Sequence, residues 1–133
     1  MTDNRYTTSK TCVFNIGYHL IWCPKFRRAV LENGVDIRLK ELIYKKAKEN
    51  NYEIVEMDIL PDHVHIFLKC DPTESPHRIV QQLKGYTSRI IRQEYPKLKT
   101  RLPSLWTRSY YCESVGHISK DTVIKYIQDQ KNR

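Results

Sequence analysis

Hydrophobic and polar residues alternate along "VFNIGYHLIWC" (13–23). In an extended chain Phe14, Ile16, Tyr18, Leu20 and Trp22 share one face, and Asn15, Gly17, His19 and Ile21 the other. That period of two predicts a strand. From Val35 the spacing becomes helical, with Val35, Leu39, Leu42, Ile43 and Ala47 on one stripe that runs to "ENN". "YEIVEMDIL" (52–60) and "HVHIFLKC" (63–70) return to the extended pattern, joined by the turn pair Pro61-Asp62. A second helix is predicted over "ESPHRIVQQLKGYTSRIIRQEYP". Ser75 can cap it and Pro76 suits its first turn. Ile79, Val80, Leu83, Ile90 and Ile91 make its apolar face, and Pro96 stops it. "SYYCESV" (109–115) predicts a short last strand, and Ser119 is placed to cap a final helix, "KDTVIKYIQDQ". Residues 1–10 are polar and are expected to fray.

The element order is therefore β-α-β-β-α-β plus one helix. That is an α+β, ferredoxin-like (RRM-like) arrangement, with two helices stacked on one face of an antiparallel sheet. The first and third strands become central neighbours. One sheet face is left uncovered, and the extra C-terminal helix is the spare element that can close it. A chain of 133 residues with no internal repeat reads as one domain, 1–133.

Composition narrows the class. The net charge is +8 and the expected pI about 9.4, which suits a polyanionic partner, nucleic acid first. The four cysteines, Cys12, Cys23, Cys70 and Cys112, include no C-x-x-C pair. They read as reduced, mostly half-buried thiols rather than a zinc ribbon. No apolar run is long enough to span a bilayer and no signal peptide opens the chain, so a cytoplasmic, nucleoid-associated location is expected.

The candidate chemistry lies in "PDHVHIFL" (61–68). Val64, Ile66 and Leu68 point to the core, whereas His63, His65 and Phe67 share the opposite, uncovered face. Two imidazoles side by side on a rigid strand can grip one metal ion or one phosphate. The plainer reading is two half-buried histidines, each satisfied by a neighbour. On the final helix Tyr126 and Gln130 lie four apart and project from the same side. A carboxamide oxygen can join the imidazoles around a cation, and the phenol then lies one helical turn away. Against that, Val123, Tyr126 and Ile127 also fit simple packing.

Taken together these residues resemble the HUH-superfamily single-tyrosine transposases of small insertion sequences, the IS200-like family. "HVH" matches the histidine–hydrophobe–histidine motif, followed by a downstream helical tyrosine with a glutamine four later. "YHLIWCPKFRRAVL" is similar to that family's first strand and basic turn, "LPDHVHIFL" to its metal strand, and "LKGYTSRIIRQEYP" and "LWTRSYYCESVG" to its second helix and last strand. The resemblance spans nearly the whole chain. It implies metal-dependent cleavage and rejoining of single-stranded DNA at element ends through a 5′-phosphotyrosine intermediate, with Tyr126 as nucleophile and His63, His65 and Gln130 as ligands of Mg²⁺ or Mn²⁺. It also implies hairpin-ended DNA as substrate. It implies a homodimer too, in which the tyrosine helix of one subunit can complete the histidine pair of the other, while spacing leaves open whether Tyr126 serves its own subunit. The chemistry is coherent, because a phenol is only about 0.1% phenolate at pH 7 and gains from a cation that polarises the phosphate.

Further residues are expected to assist. Asp62 precedes the pair and can orient an imidazole, although it also simply makes the turn; His19 lies on the same open face, adjacent to the site. Between Lys84 and Arg108, seven basic residues (Lys84, Arg89, Arg92, Lys97, Lys99, Arg101, Arg108) face one acid, Glu94. Lys25, Arg27 and Arg28 form a second basic cluster. From these two clusters, Lys25, Arg27, Arg28, Lys84, Arg89, Arg92 and Arg108 are the expected phosphate contacts. Tyr86, Trp106 and Tyr110 can stack on unpaired bases, with core packing the better reading for Trp106. Other functions fit less well. A histidine-triad hydrolase needs a third alternating histidine where Phe67 stands, and a two-histidine phosphoesterase needs His-x-Thr/Ser. A non-enzymatic RNA-binding module on this fold needs aromatics where the imidazoles lie. A domesticated relative that processes genomic palindromes would share every catalytic residue.

Overall fold

The computed structural model describes residues 7–8, 13–114 and 120–132. Thr7–Thr8 (β1) and Val13–Phe14 (β2) form a two-stranded antiparallel ladder. Thr7–Thr8 is thus paired rather than frayed, and the run from Val13 is two strands rather than one: Asn15 and Ile16 break it before Gly17–Trp22 (β3). Then follow Val35–Glu49 (α1), Glu53–Leu60 (β4), His63–Lys69 (β5), Pro76–Glu94 (α2), the short Lys97–Arg101 (α3), Tyr111–Ser114 (β6) and Lys120–Asp129 (α4). Gln130–Asn132 continues α4 as a 3₁₀ turn, so Gln130 lies just past the α-helix on which the sequence put it. Ser119, the expected cap, lies outside the described residues, as does Cys12.

The four-stranded sheet has the order β4-β5-β3-β6, all neighbours antiparallel. The central pair is the one expected of a ferredoxin-like fold. α1 and α2 pack against each other and bury one sheet face. Leu39, Leu42 and Ile43 from α1 and Ile79, Leu83 and Ile91 from α2 meet Leu20, Trp22, Val64, Ile66 and Leu68. α2 begins as the sequence dictates: Ser75 Oγ accepts from Arg78 N at 3.2 Å, with Pro76 in the first turn. The Trp106 indole is buried, donating to Thr87 Oγ1 at 3.1 Å and meeting Trp22 edge-on. It is a core residue. A register shift in β4 between Ile54 and Glu56 leaves Val55 50% exposed on this edge strand.

The thiols depart from expectation. Cys23 and Cys70 are buried and Cys112 is exposed. Burial pushes the Cys23 thiol up to about 12, with Asp62 adding to the effect. Among the described residues no helix is long and apolar enough to cross a membrane.

Candidate active site

β5 alternates without exception. Val64, Ile66 and Leu68 are buried, and His63, His65, Phe67 and Lys69 are half-buried on the other face. The ladder sets what lies beside them. Ile21 and Asp58 flank His65, His19 and Glu56 flank Phe67, and Leu60 is opposite His63. In the same row as His65, Tyr111 of β6 pairs with Ile21. Ile21 and Cys23 are completely buried, although they lie on the face away from α1 and α2, so this side of the sheet is also covered.

Asp62 holds one imidazole of the pair, His63. Its Oδ1 lies 2.9 Å from His63 Nδ1, and its Oδ2 makes an ion pair with Arg27 at 3.3 Å. A carboxylate on Nδ1 fixes the proton there and leaves the Nε2 lone pair for a ligand. His19 stacks on Phe67 (centroids 4.4 Å apart), and its Nδ1 is 3.4 Å from His65 Nε2. Burial pushes the His65 imidazole below the ordinary histidine range. His19 adds to this, while Asp58 and Glu56 oppose it. A neutral imidazole is the form a cation needs. Among the described residues no group of three or more His, Cys, Asp or Glu side chains gathers at metal-site spacing. A cation held by the pair would need further donors, and oxygen from an amide, water or phosphate is the type that would suit Mg²⁺ or Mn²⁺ beside two imidazoles.

Tyr126 lies in α4, and its ring meets Tyr111 at 5.8 Å between centroids. Its seat is thus over β6, two strands from His65 in the sheet order. Its hydroxyl is 3.2 Å from Ser109 Oγ. Gln130 is buried (1% exposed). Its Oε1 accepts from Ser109 Oγ at 2.8 Å, and its Nε2 donates to the Tyr126 carbonyl at 3.2 Å. Tyr126 and Gln130 thus share one side, as the spacing predicts, and both meet a serine that the sequence did not single out. Ser109 had no local signal; it sits at the entrance to a strand pattern, and only the tertiary fold brings it to α4.

Arg27 ties the two halves. Besides Asp62 it donates to the Ile127 carbonyl of α4 at 3.2 Å. It sits with Phe26 in left-handed backbone (φ 49° and 58°), uncommon for side chains other than glycine. The basic residues divide accordingly. Arg28, Arg89 and Arg108 are exposed and Lys25 is half-buried. Lys84 is not the free surface cation the sequence suggested. Its ammonium donates to the carbonyls of Thr107 and Ser109, each at 2.8 Å, and burial pushes it down to about 8. Arg27 and Arg92 also turn inward, Arg92 donating to the Leu102 carbonyl at 3.4 Å. Charge alone cannot separate a cation that meets solvent from one that satisfies a buried carbonyl.

Known proteins carry the same architecture. The family model described as "Transposase IS200 like" matches residues 12–130. The ISDra2 transposase TnpA of Deinococcus radiodurans is 36% identical over 123 residues, covering 91% of this chain and 88% of that protein. The transposase for insertion sequence element IS200 of Salmonella typhimurium is 29% identical over 105 residues, covering 77% and 69%. A crystal structure from Deinococcus radiodurans R1, assigned as a transposase, superposes with a TM-score of 0.87 at 31% identity, covering 93% of this chain and 97% of that one. A REP-associated tyrosine transposase bound to a REP hairpin shares the fold alone, with a TM-score of 0.54 at 15% identity over 94% and 68%. A family match over nearly the whole chain, on a sheet that presents His63 and His65 side by side with His63 held by Asp62, leads to one conclusion: this chain belongs to the IS200-like transposase family.

Proposed function

We propose that this transposase cuts and rejoins single-stranded DNA at insertion-sequence ends, with Tyr126 as the nucleophile and His63, His65 and Gln130 as ligands of Mg²⁺ or Mn²⁺. The main support is the arrangement of two half-sites on one side of the sheet: the imidazole strand with His63 held by Asp62, and the Tyr126–Gln130 unit, linked through Arg27. When bound, the cation offsets charge developing on the phosphate. The chain's own residues do the rest. Tyr126 Oη attacks phosphorus and the bond from phosphorus to the 3′-oxygen breaks. The phenol proton ends on the released 3′-hydroxyl. The 5′-phosphotyrosine conserves the phosphodiester's energy, so a second 3′-hydroxyl can reverse the step and join new ends without ATP.

Exposed Arg28, Arg89 and Arg108, with Lys25, supply the phosphate grip, and the substrate is a hairpin-ended single strand. The neighbour solved with a REP hairpin supports a folded nucleic-acid end as the ligand. The protein acts as a homodimer in which α4 of one subunit completes the histidine pair of the other. A tyrosine seated over β6, two strands from the imidazoles, suits that division.

The test is a covalent adduct. Labelled single-stranded ends with Mg²⁺ or Mn²⁺ give a protein–DNA band that survives a denaturing gel, and Tyr126→Phe gives none. An adduct with Tyr126→Phe rejects the nucleophile. Mixing Tyr126→Phe with His63→Ala protein restores cleavage if sites are shared between subunits. A mixture as inactive as its components places each tyrosine with its own histidines.

A further inference from the structure

Ser109 Oγ stands between the two functional side chains of α4, donating to Gln130 Oε1 at 2.8 Å and lying 3.2 Å from Tyr126 Oη. A serine hydroxyl has one proton and can accept further bonds. With that proton committed to Gln130, Tyr126 is the donor in the second bond. The chain runs Tyr126 O–H to Ser109 O–H to Gln130 Oε1, each bond polarising the next. Gln130 Nε2 then closes the ring on the Tyr126 carbonyl at 3.2 Å. Ser109 itself is anchored from the opposite side of the molecule. Its carbonyl accepts from Lys84, which extends from the core-packed helix α2 and also holds Thr107.

We propose that Ser109 is a positioning residue for the strand-transfer reaction, one that holds the Tyr126 phenol and the Gln130 carboxamide as a unit and couples the state of one to the other. This rests on the reading of Tyr126 as the nucleophile. The coupling follows from the single proton. While Gln130 Oε1 accepts it, Ser109 can only receive a bond from the phenol. Once Gln130 Oε1 turns to another partner, the Ser109 hydroxyl is released to donate toward the Tyr126 oxygen, the direction that favours the nucleophilic phenolate. The relay ends on an amide oxygen, a poor base, so Ser109 orients the proton and does not remove it.

The experiment compares Ser109→Ala and Ser109→Thr with the parent protein on hairpin-ended single-stranded DNA with Mn²⁺. Ser109→Ala is expected to lower the cleavage rate constant on the order of 10- to 100-fold, the size of a small misplacement of a reacting group, with the KM for DNA within about twofold. Ser109→Thr keeps the hydroxyl and is expected to recover to within about threefold of the parent rate. A second readout needs neither metal nor DNA: with 3-fluorotyrosine at position 126, the fluorine resonance moves on Ser109→Ala and returns toward its parent position with Ser109→Thr. Parent-like cleavage by Ser109→Ala, or a threonine variant as slow as the alanine one, overturns the role of Ser109 alone. A parent protein that forms no adduct overturns the proposed function, and this role with it.

Discussion

Val64, Ile66 and Leu68 of β5 are buried beneath α1 and α2, while His63, His65 and Phe67, one residue out of step on the same strand, remain half-buried on the other side. The two sides are held by different physics. Beneath α1 and α2 the contacts are apolar, non-directional and numerous. On the far side, beyond buried Ile21 and Cys23 and the His19–Phe67 stack, the contacts are directional: Asp62 to His63, Arg27 to Asp62 and to Ile127, Ser109 to Tyr126 and Gln130. Packing on the first side makes the second rigid enough to be useful. A strand whose alternate residues are locked into a core presents its imidazoles at a fixed spacing with no further cost in backbone entropy.

Substitutions on the two sides should therefore separate function from stability. The largest effect is expected for His63→Ala, which lowers strand cleavage by roughly 10³-fold or more with hairpin binding largely intact, because it removes a proposed ligand. Its unfolding free energy should stay within about 1 kcal/mol of the parent, since the side chain is not core. Denaturant melts and cleavage assays on the same sample check both halves, and equal loss of DNA binding would make the histidines DNA contacts instead. The opposite pattern is expected for Leu83→Ala, a loss of about 2–5 kcal/mol in chemical denaturation with chemistry retained while folded. Asp62→Asn should weaken Mn²⁺ affinity about 10- to 100-fold by calorimetry, as loss of a carboxylate partner to a ligating imidazole does. Ser75→Ala should cost only about 1 kcal/mol and leave cleavage unchanged.

Lys84 bridges the two sides and adds a pH signature. Burial holds its ammonium at about 8, below its ordinary value of 10.5. Between those two values the unfolded chain binds more protons than the folded one, so this group makes stability rise with pH through that window. The neutral amine still has two N–H donors for the Thr107 and Ser109 carbonyls. Lys84→Met leaves those carbonyls without their donor and does not titrate, so its stability deficit relative to the parent should widen from pH 7 to pH 10. A constant deficit would show that the lysine is not held in a desolvated site.

Local pattern made the elements and their faces legible, and not the bonds that join distant elements. The alternation in "HVHIFL" gave both faces of β5, and Ser75, Pro76 and Pro96 bounded α2, because period and caps act between residues close in sequence. The Tyr126 and Gln130 pairing also followed from helical spacing, although the helix tightens to a 3₁₀ turn at Gln130. What escaped were bonds between distant segments. Ser109 to Gln130 and Lys84 to Thr107 each join separate elements, and nothing near either residue marks it. Counting charges put Lys84, Arg27 and Arg92 with the DNA grip, yet their nearest partners are main-chain carbonyls. Thr7–Thr8 was read as frayed because its pairing partner lies beyond a polar stretch.

The Arg27 guanidinium spans a hundred residues of chain to reach the Ile127 carbonyl. A link of that reach couples α4 to the turn around Phe26, and the two are expected to open and close together. Amide protons in the last turn of α4 and in the 25–28 turn should then exchange with solvent at matched rates. Shortening Arg27 should speed both together, while leaving the amides of the central strands slow.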